Sequence, residues 1–198
     1  MVLTESQDLA IGTVAPDFEL LEPLTGKTLR LTEYAAGSPA TLVTFICNHC
    51  PFVIHLKEAI VELAKEYQAK GVKVVAISSN SVETHPQDGP EEMAKDAQKY
   101  GYSFPYLFDG TQEVAKAYKA ACTPEFYVFD SSLKLVYHGQ FDDSRPRGPG
   151  NNIPVTGEDL RHALDSVLAN KAISRPIKHS IGCNIKWHPD AAPAYFSG

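Results

Sequence analysis

Two thiols stand three positions apart in Cys47-Asn48-His49-Cys50-Pro51, directly after the strand-forming run Thr44-Phe45-Ile46. Cysteine reacts as the thiolate, and the unpaired N–H groups and partial positive charge at a helix N-terminus stabilise that anion. Two such thiols on the first turn of a helix can also close into one small, reversible disulfide. The stretch therefore points to redox work at sulfur, with Cys47 attacking a substrate disulfide and Cys50 resolving the mixed disulfide. The competing reading is a structural pair or half a zinc site. Zinc asks for two further ligands, and the remaining cysteines and histidines lack the paired spacing of a zinc ribbon or finger. Thiol exchange needs no bound cofactor, only an external thiol donor.

The elements around the motif are set up to present it. Residues 40–46 are almost wholly apolar, β-branched or aromatic, as a strand buried on both faces requires. After Cys50, the residues Phe52, Val53, Leu56, Ile60, Leu63 and Tyr67 recur at helical spacing, Pro51 suits the first turn and Gly71 the stop. A second buried-strand pattern at 72–77 makes a right-handed parallel crossover, which leaves the cysteines at the C-terminal end of a central strand. Further on, Asp88-Gly89-Pro90-Glu91-Glu92 reads as a capped helix start, with Tyr100-Gly101 as its end. A short strand at 104–108 and a short helix through Val114 and Tyr118 come next. Cys122-Thr123-Pro124 then interrupts the chain before a hairpin, 125–130 and 133–139, that turns at Asp130-Ser131-Ser132. Residues 139–157 form a long loop by composition, and Thr156-Gly157-Glu158-Asp159 resembles a capping box ahead of a last helix. Upstream, 16–20 is a short strand candidate and 28–31 its neighbour across a turn. The tail from 172 to 198 has no convincing period, but it carries Cys183 and the single tryptophan, Trp187.

The 198 residues suit one domain, 1–171, with the tail, 172–198, packing back on it. A net charge of −6 and the absence of a Lys/Arg cluster argue against a nucleic-acid surface, and no apolar run approaches the roughly 20 residues that span a bilayer. Four scattered cysteines are too few for a secreted disulfide scaffold, and the N-terminus is acidic where a signal peptide is basic. The expectation is a cytoplasmic protein.

Strand, Cys-x-x-Cys helix, strand, helix, then Thr123-Pro124 leading into a hairpin and a final helix is an order similar to that of the thioredoxin fold, over about residues 12–171. The resemblance implies an α/β fold with a central mixed sheet flanked by helices, carrying an N-terminal extension and a C-terminal tail. It also implies that Pro124 is cis and that its loop faces the dithiol. Ala15-Pro16-Asp17-Phe18 together with Cys50-Pro51 resembles the redoxin branch, which includes peroxiredoxins of the alkyl-hydroperoxide-reductase type. In peroxiredoxins a threonine stands three residues before the reactive cysteine and a proline four before that; here those positions hold Cys47 and Val43, and the supporting arginine falls at about Pro124. The chain therefore resembles the peroxiredoxin-like group with a thioredoxin-style Cys-x-x-Cys, also in Asp142-Asp143-Ser144-Arg145-Pro146 and Ile181-Gly182-Cys183-Asn184-Ile185-Lys186-Trp187.

The resemblance implies a thiol–disulfide oxidoreductase acting on protein or small-molecule thiols and disulfides. The alternatives are a thiol-dependent peroxidase using Cys50 on peroxides and, from another class, a binding or metal-site protein that keeps the fold with an idle dithiol. His49, just before the second cysteine, resembles the histidine of oxidising catalysts of the DsbA type, where it helps hold the thiolate; otherwise it is a turn residue. Cys122 is an added redox partner or a small buried hydrophobe. Cys183 packs, or resolves a sulfenic acid on Cys50 in the peroxiredoxin manner. Arg145, flanked by Asp142 and Asp143, replaces the missing arginine or orders its own loop.

Overall fold

The computed structural model describes residues 3–196. The chain runs β1 (Leu3–Glu5), β2 (Glu19–Glu22), β3 (Lys27–Arg30), α1 (Leu31–Tyr34), β4 (Ala40–Phe45), α2 (Pro51–Gln68) and β5 (Lys73–Ser78). It continues through α3 (Pro90–Tyr100), β6 (Tyr106–Phe108), α4 (Glu113–Ala117), β7 (Cys122–Thr123), β8 (Glu125–Asp130), β9 (Leu135–Gly139), α5 (Glu158–Leu168) and β10 (Ile181–Asn184).

Seven strands make one mixed sheet in the order β3-β2-β6-β5-β4-β8-β9. β4 lies inside it because every one of its side chains is apolar or a buried threonine. It pairs in parallel with β5, Thr41 opposite Lys73 through Phe45 opposite Ile77, and antiparallel with β8. Alternate residues of these strands feed two separate cores. Leu42, Val74, Ala76 and Val128 pack beneath α2, α3 and α5, whereas Val43, Phe45, Val75 and Tyr127 face α1, α4 and the tail residues Ile185 and Trp187. Helices on both faces of a mixed sheet, with the dithiol at the head of the first crossover helix, give the thioredoxin-like fold expected from the motif order.

Several local expectations change. The strand expected over 16–20 is β2 and begins only at Glu19, with Pro16 to its N-terminal side outside any strand. Asp88 does not cap α3: the capping position is Gly89, and Asp88 turns inward. The tail is not devoid of regular structure, since β10 forms a second, three-stranded sheet in the order β1-β10-β7. Strand pairing is a long-range property that a four-residue segment cannot announce by its own period.

The capping box before α5 is also replaced. Gly157 takes the capping position at a φ of +68°, and no side chain of its own turn caps the helix. Instead Asp142, 2% exposed, reaches in from the long loop. Its Oδ2 accepts the N–H groups of Thr156 and Gly157 at 2.7 Å, and its Oδ1 accepts the N–H and hydroxyl of Ser144. One carboxylate thus holds both ends of the 140–157 loop. Asp142→Ala is expected to leave four donors unpaired and lower the unfolding free energy by about 2–4 kcal/mol, with Asp142→Asn losing about half of that, measured by urea denaturation.

Candidate active site

The strand–helix junction opens where β4 stops. Ile46 still bonds to the Ile77 carbonyl, and the 46–49 turn then carries Cys47, Asn48 and His49 over the end of the sheet. Only Cys50 touches the helix: it occupies the N-terminal capping position of α2, with Pro51 following, so Cys47 lies just outside the turn on which both thiols were expected. All four cysteines are thiols in this structure.

Asp88 holds the turn in place. Fully buried, it accepts the Asn48 N–H at 2.8 Å, the Asn80 side-chain amide at 2.8 Å and His49 Nδ1 at 2.6 Å. Burial works to raise the Asp88 pKa, but hydrogen bonds from His49 and Asn80, the His49 charge and the Asn48 N–H keep it below the ordinary value. The other face of His49 stacks on His85 at 4.9 Å. Asn80 also accepts the Lys186 N–H at 2.8 Å, so the same network reaches the tail.

The facing wall is Thr123 and Pro124, joined by a cis peptide bond, as the resemblance implies. The Thr123 hydroxyl lies 3.5 Å from Cys47 Sγ, and the protonated Cys50 thiol donates to the Thr123 carbonyl at 3.3 Å. Behind this loop, fully buried Glu125 accepts the N–H groups of Ala121 and Cys122, the Tyr127 hydroxyl at 2.6 Å and His138 Nε2 at 2.7 Å. A carboxylate that staples two loop amides to a neighbouring strand fixes where Thr123 sits.

The sulfurs differ in acidity. Hydrogen bonds from the Cys183 and Cys47 thiols outweigh burial and, with the Val53 N–H and Thr123 hydroxyl, bring the Cys50 pKa down to about 2. Burial pushes the Cys47 thiol well above its usual range, helped by its hydrogen bond to Cys50 and the charge of Asp88. Cys183 is raised by its bond to Cys50 and by burial. Cys50, at the helix N-terminus, is the more acidic thiol of the pair, and Cys47 the less acidic.

Cys122 is set apart, within 3.6 Å of Glu125 and 3.8 Å of the Ser180 carbonyl, and burial raises its pKa well above the ordinary value. Arg145 donates to the Asp142 and Ser144 carbonyls and to Gln140, which orders the loop. The Cys47 sulfur, a His49 nitrogen and an Asp88 oxygen lie within 4.8 Å of one another. A cation there would have to displace the N–H donors that already occupy both Asp88 oxygens.

The AhpC/TSA family profile matches residues 11–138. The chain belongs to the AhpC/TSA family. The thiol-disulfide oxidoreductase ResA of Geobacillus thermodenitrificans is 27% identical over 166 residues, 83% of this chain and 82% of that protein. The selenocysteine-containing peroxiredoxin PrxU of Peptoclostridium acidaminophilum is 33% identical over 136 residues, 67% of this chain and 62% of its own. The crystal structure of an uncharacterized conserved protein from Geobacillus kaustophilus superposes with a TM-score of 0.92 at 52% identity, covering 96% of this AhpC/TSA chain and 99% of the other.

Of the site, Asp88, Thr123, Glu125 and Asn80 escaped sequence reasoning. Glu125 alone left a usable signal, a carboxylate directly before the run Phe126-Tyr127-Val128-Phe129. Because the folded Cys50 pKa is depressed, the folded chain binds fewer protons than the unfolded one between about pH 2 and the ordinary thiol value of about 8.5. That contribution to the reduced protein's stability is complete above about pH 8.5 and is lost as pH falls through the folded pKa. Thiolate absorbance near 240 nm is accordingly expected to persist in the wild type at about pH 5, and to vanish in Cys50→Ser but not in Cys122→Ser.

Proposed function

We propose that this thiol–disulfide oxidoreductase of the AhpC/TSA family works through Cys47 and Cys50, reducing or exchanging disulfides of protein or small-molecule partners. The observation that carries the reading is geometric: Cys47 Sγ lies 3.5 Å from the Thr123 hydroxyl and Cys50 Sγ 3.3 Å from the Thr123 carbonyl, where α2 begins. Loss of the Cys47 thiol proton makes Cys47 the attacking thiolate. Its sulfur bonds to one substrate sulfur and expels the other as a thiolate, which takes a proton from solvent. Cys50 then gives up its proton and attacks Cys47 Sγ, closing the Cys47–Cys50 disulfide and releasing the second substrate thiol.

The His49–Asp88 hydrogen bond, with the Asn48 N–H on the same carboxylate, holds the turn that carries Cys47. A narrow cleft next to Pro124, floored by Phe52, Leu56, Phe126 and Phe141 with Arg145 at its rim, offers an apolar surface for the substrate's flanking groups. With only 1% and 0% of their surfaces exposed, Cys47 and Cys50 meet that substrate when the 46–49 turn moves. We assign the protein to a reducing, cytoplasmic compartment, which suits four scattered thiols.

Peroxidase chemistry at Cys50 is the second reading, favoured by the depressed pKa of that thiol. Against it, Arg145 spends its guanidinium on loop carbonyls and Gln140. Wild type is expected to reduce insulin, with Cys47→Ser losing at least about a hundredfold in rate; equal rates would sink the exchange reading. A dimedone adduct on Cys50 of Cys47→Ser at stoichiometric peroxide would instead support the peroxidase.

A further inference from the structure

β10 brings a third thiol into the centre. Cys183 stands opposite Thr123 in an antiparallel pair, and Thr123 is the residue whose hydroxyl and carbonyl touch Cys47 and Cys50. The three sulfurs Cys47, Cys50 and Cys183 share one buried cluster, whereas Cys122 faces Glu125. β10 also packs against α2, and Cys183 and Cys50 act on each other as neighbouring sulfurs, which lowers the Cys50 pKa and raises that of Cys183, while the Phe52 N–H of the first turn of α2 works against that rise.

The closeness depends on the residue before it. A Cβ built on Gly182 would collide with the Thr123 carbonyl oxygen and lie 2.7 Å from the carbonyl carbon. Only glycine lets β10 press this close to the Pro124 loop. The tail is also locked in place at its far side, where Ser81 N–H bonds to the Lys186 carbonyl at 2.7 Å and the Gln112 amide to the same oxygen at 2.9 Å. A cysteine that is merely packed needs neither a helix N–H nor a mandatory glycine beside it.

We propose that Cys183 is a third redox-active thiol, which takes the disulfide over from the Cys47–Cys50 pair so that the oxidised centre holds Cys50–Cys183 as well as Cys47–Cys50. The proposal rests on the exchange reading above and adds a residue to it. In the step, the Cys183 thiolate attacks Cys50 Sγ, the Cys50–Cys183 bond forms and the Cys47–Cys50 bond breaks. Cys47 leaves as a thiolate and takes up the proton that Cys183 loses. No net oxidation occurs, because the two electrons removed from the protein remain with the thiols of the substrate disulfide that first oxidised it. The consequence is a Cys47 thiol restored while the centre is still oxidised.

The test is disulfide mapping on the full chain carrying Cys122→Ser, oxidised with glutathione disulfide, acid-quenched, alkylated and digested without reduction. A Cys50–Cys183 linked peptide is expected beside the Cys47–Cys50 peptide, and it should become the main product in Cys47→Ser. Gly182→Ala should cut its yield by about fivefold or more while Cys47–Cys50 still forms. A Cys47–Cys50 disulfide with Cys183 fully alkylated, together with Cys50 left as a stable glutathione adduct in Cys47→Ser, would overturn the relay and leave the exchange reading intact. Absence of every disulfide, together with no insulin reduction by the wild type, would overturn both. Circular dichroism of each variant separates loss of the relay from loss of the fold.

Discussion

Thr123 touches both working sulfurs at once, its hydroxyl toward Cys47 and its carbonyl oxygen toward Cys50. Everything around the site serves to keep that residue against the start of α2. Glu125 staples the loop from behind, β10 presses on it from the side, and the parallel β4–β5 pairing sets the height at which the 46–49 turn meets it. A sulfur–oxygen contact loses most of its strength within a fraction of an ångström, so three independent supports are needed where one would give the right fold with a loose site.

The site also gathers negative charge away from water. Asp88 and Glu125 are fully buried, and so is Cys50, whose pKa is held well below the usual thiol range. An isolated buried anion costs several kcal/mol, so each must be met by donors. Asp88 has two amides and a histidine, Glu125 two amides, a tyrosine and a histidine, and Cys50 two thiols with an amide N–H. The donors come from segments spread between residues 47 and 183, which ties the chemistry of the dithiol to the packing of those segments. The substitution of Cys47 at the position where peroxiredoxins keep threonine fits this pattern: the hydrogen-bond donor to the reactive sulfur remains, but it is now itself oxidisable.

Residue pattern alone specified the buried strand before the dithiol, the amphipathic α2, the left-handed stop of α3 at Gly101 with its φ of 64°, and the hairpin after Pro124. Those are local: an apolar period, a capping glycine or a turn pair is visible within about a dozen residues. The pattern also pointed to Cys47, His49, Cys50 and Pro124 as a set, because spacing within a motif survives folding unchanged.

What tertiary structure decided is who faces whom across the chain. Asp88, which local rules assign to a helix cap, became the partner of His49, and Asp142 took over a cap that Thr156 was expected to provide. Cys122 and Cys183 each left two readings open in sequence, a redox partner or a packed thiol, yet one turned to Glu125 and the other to the neighbourhood of Cys50. The difference arises because β10 pairs with β7 over some 60 residues of separation, in a register that Gly182 alone permits. The opening dithiol was legible from its spacing; the third sulfur beside it depended on a long-range strand contact that no local period encodes.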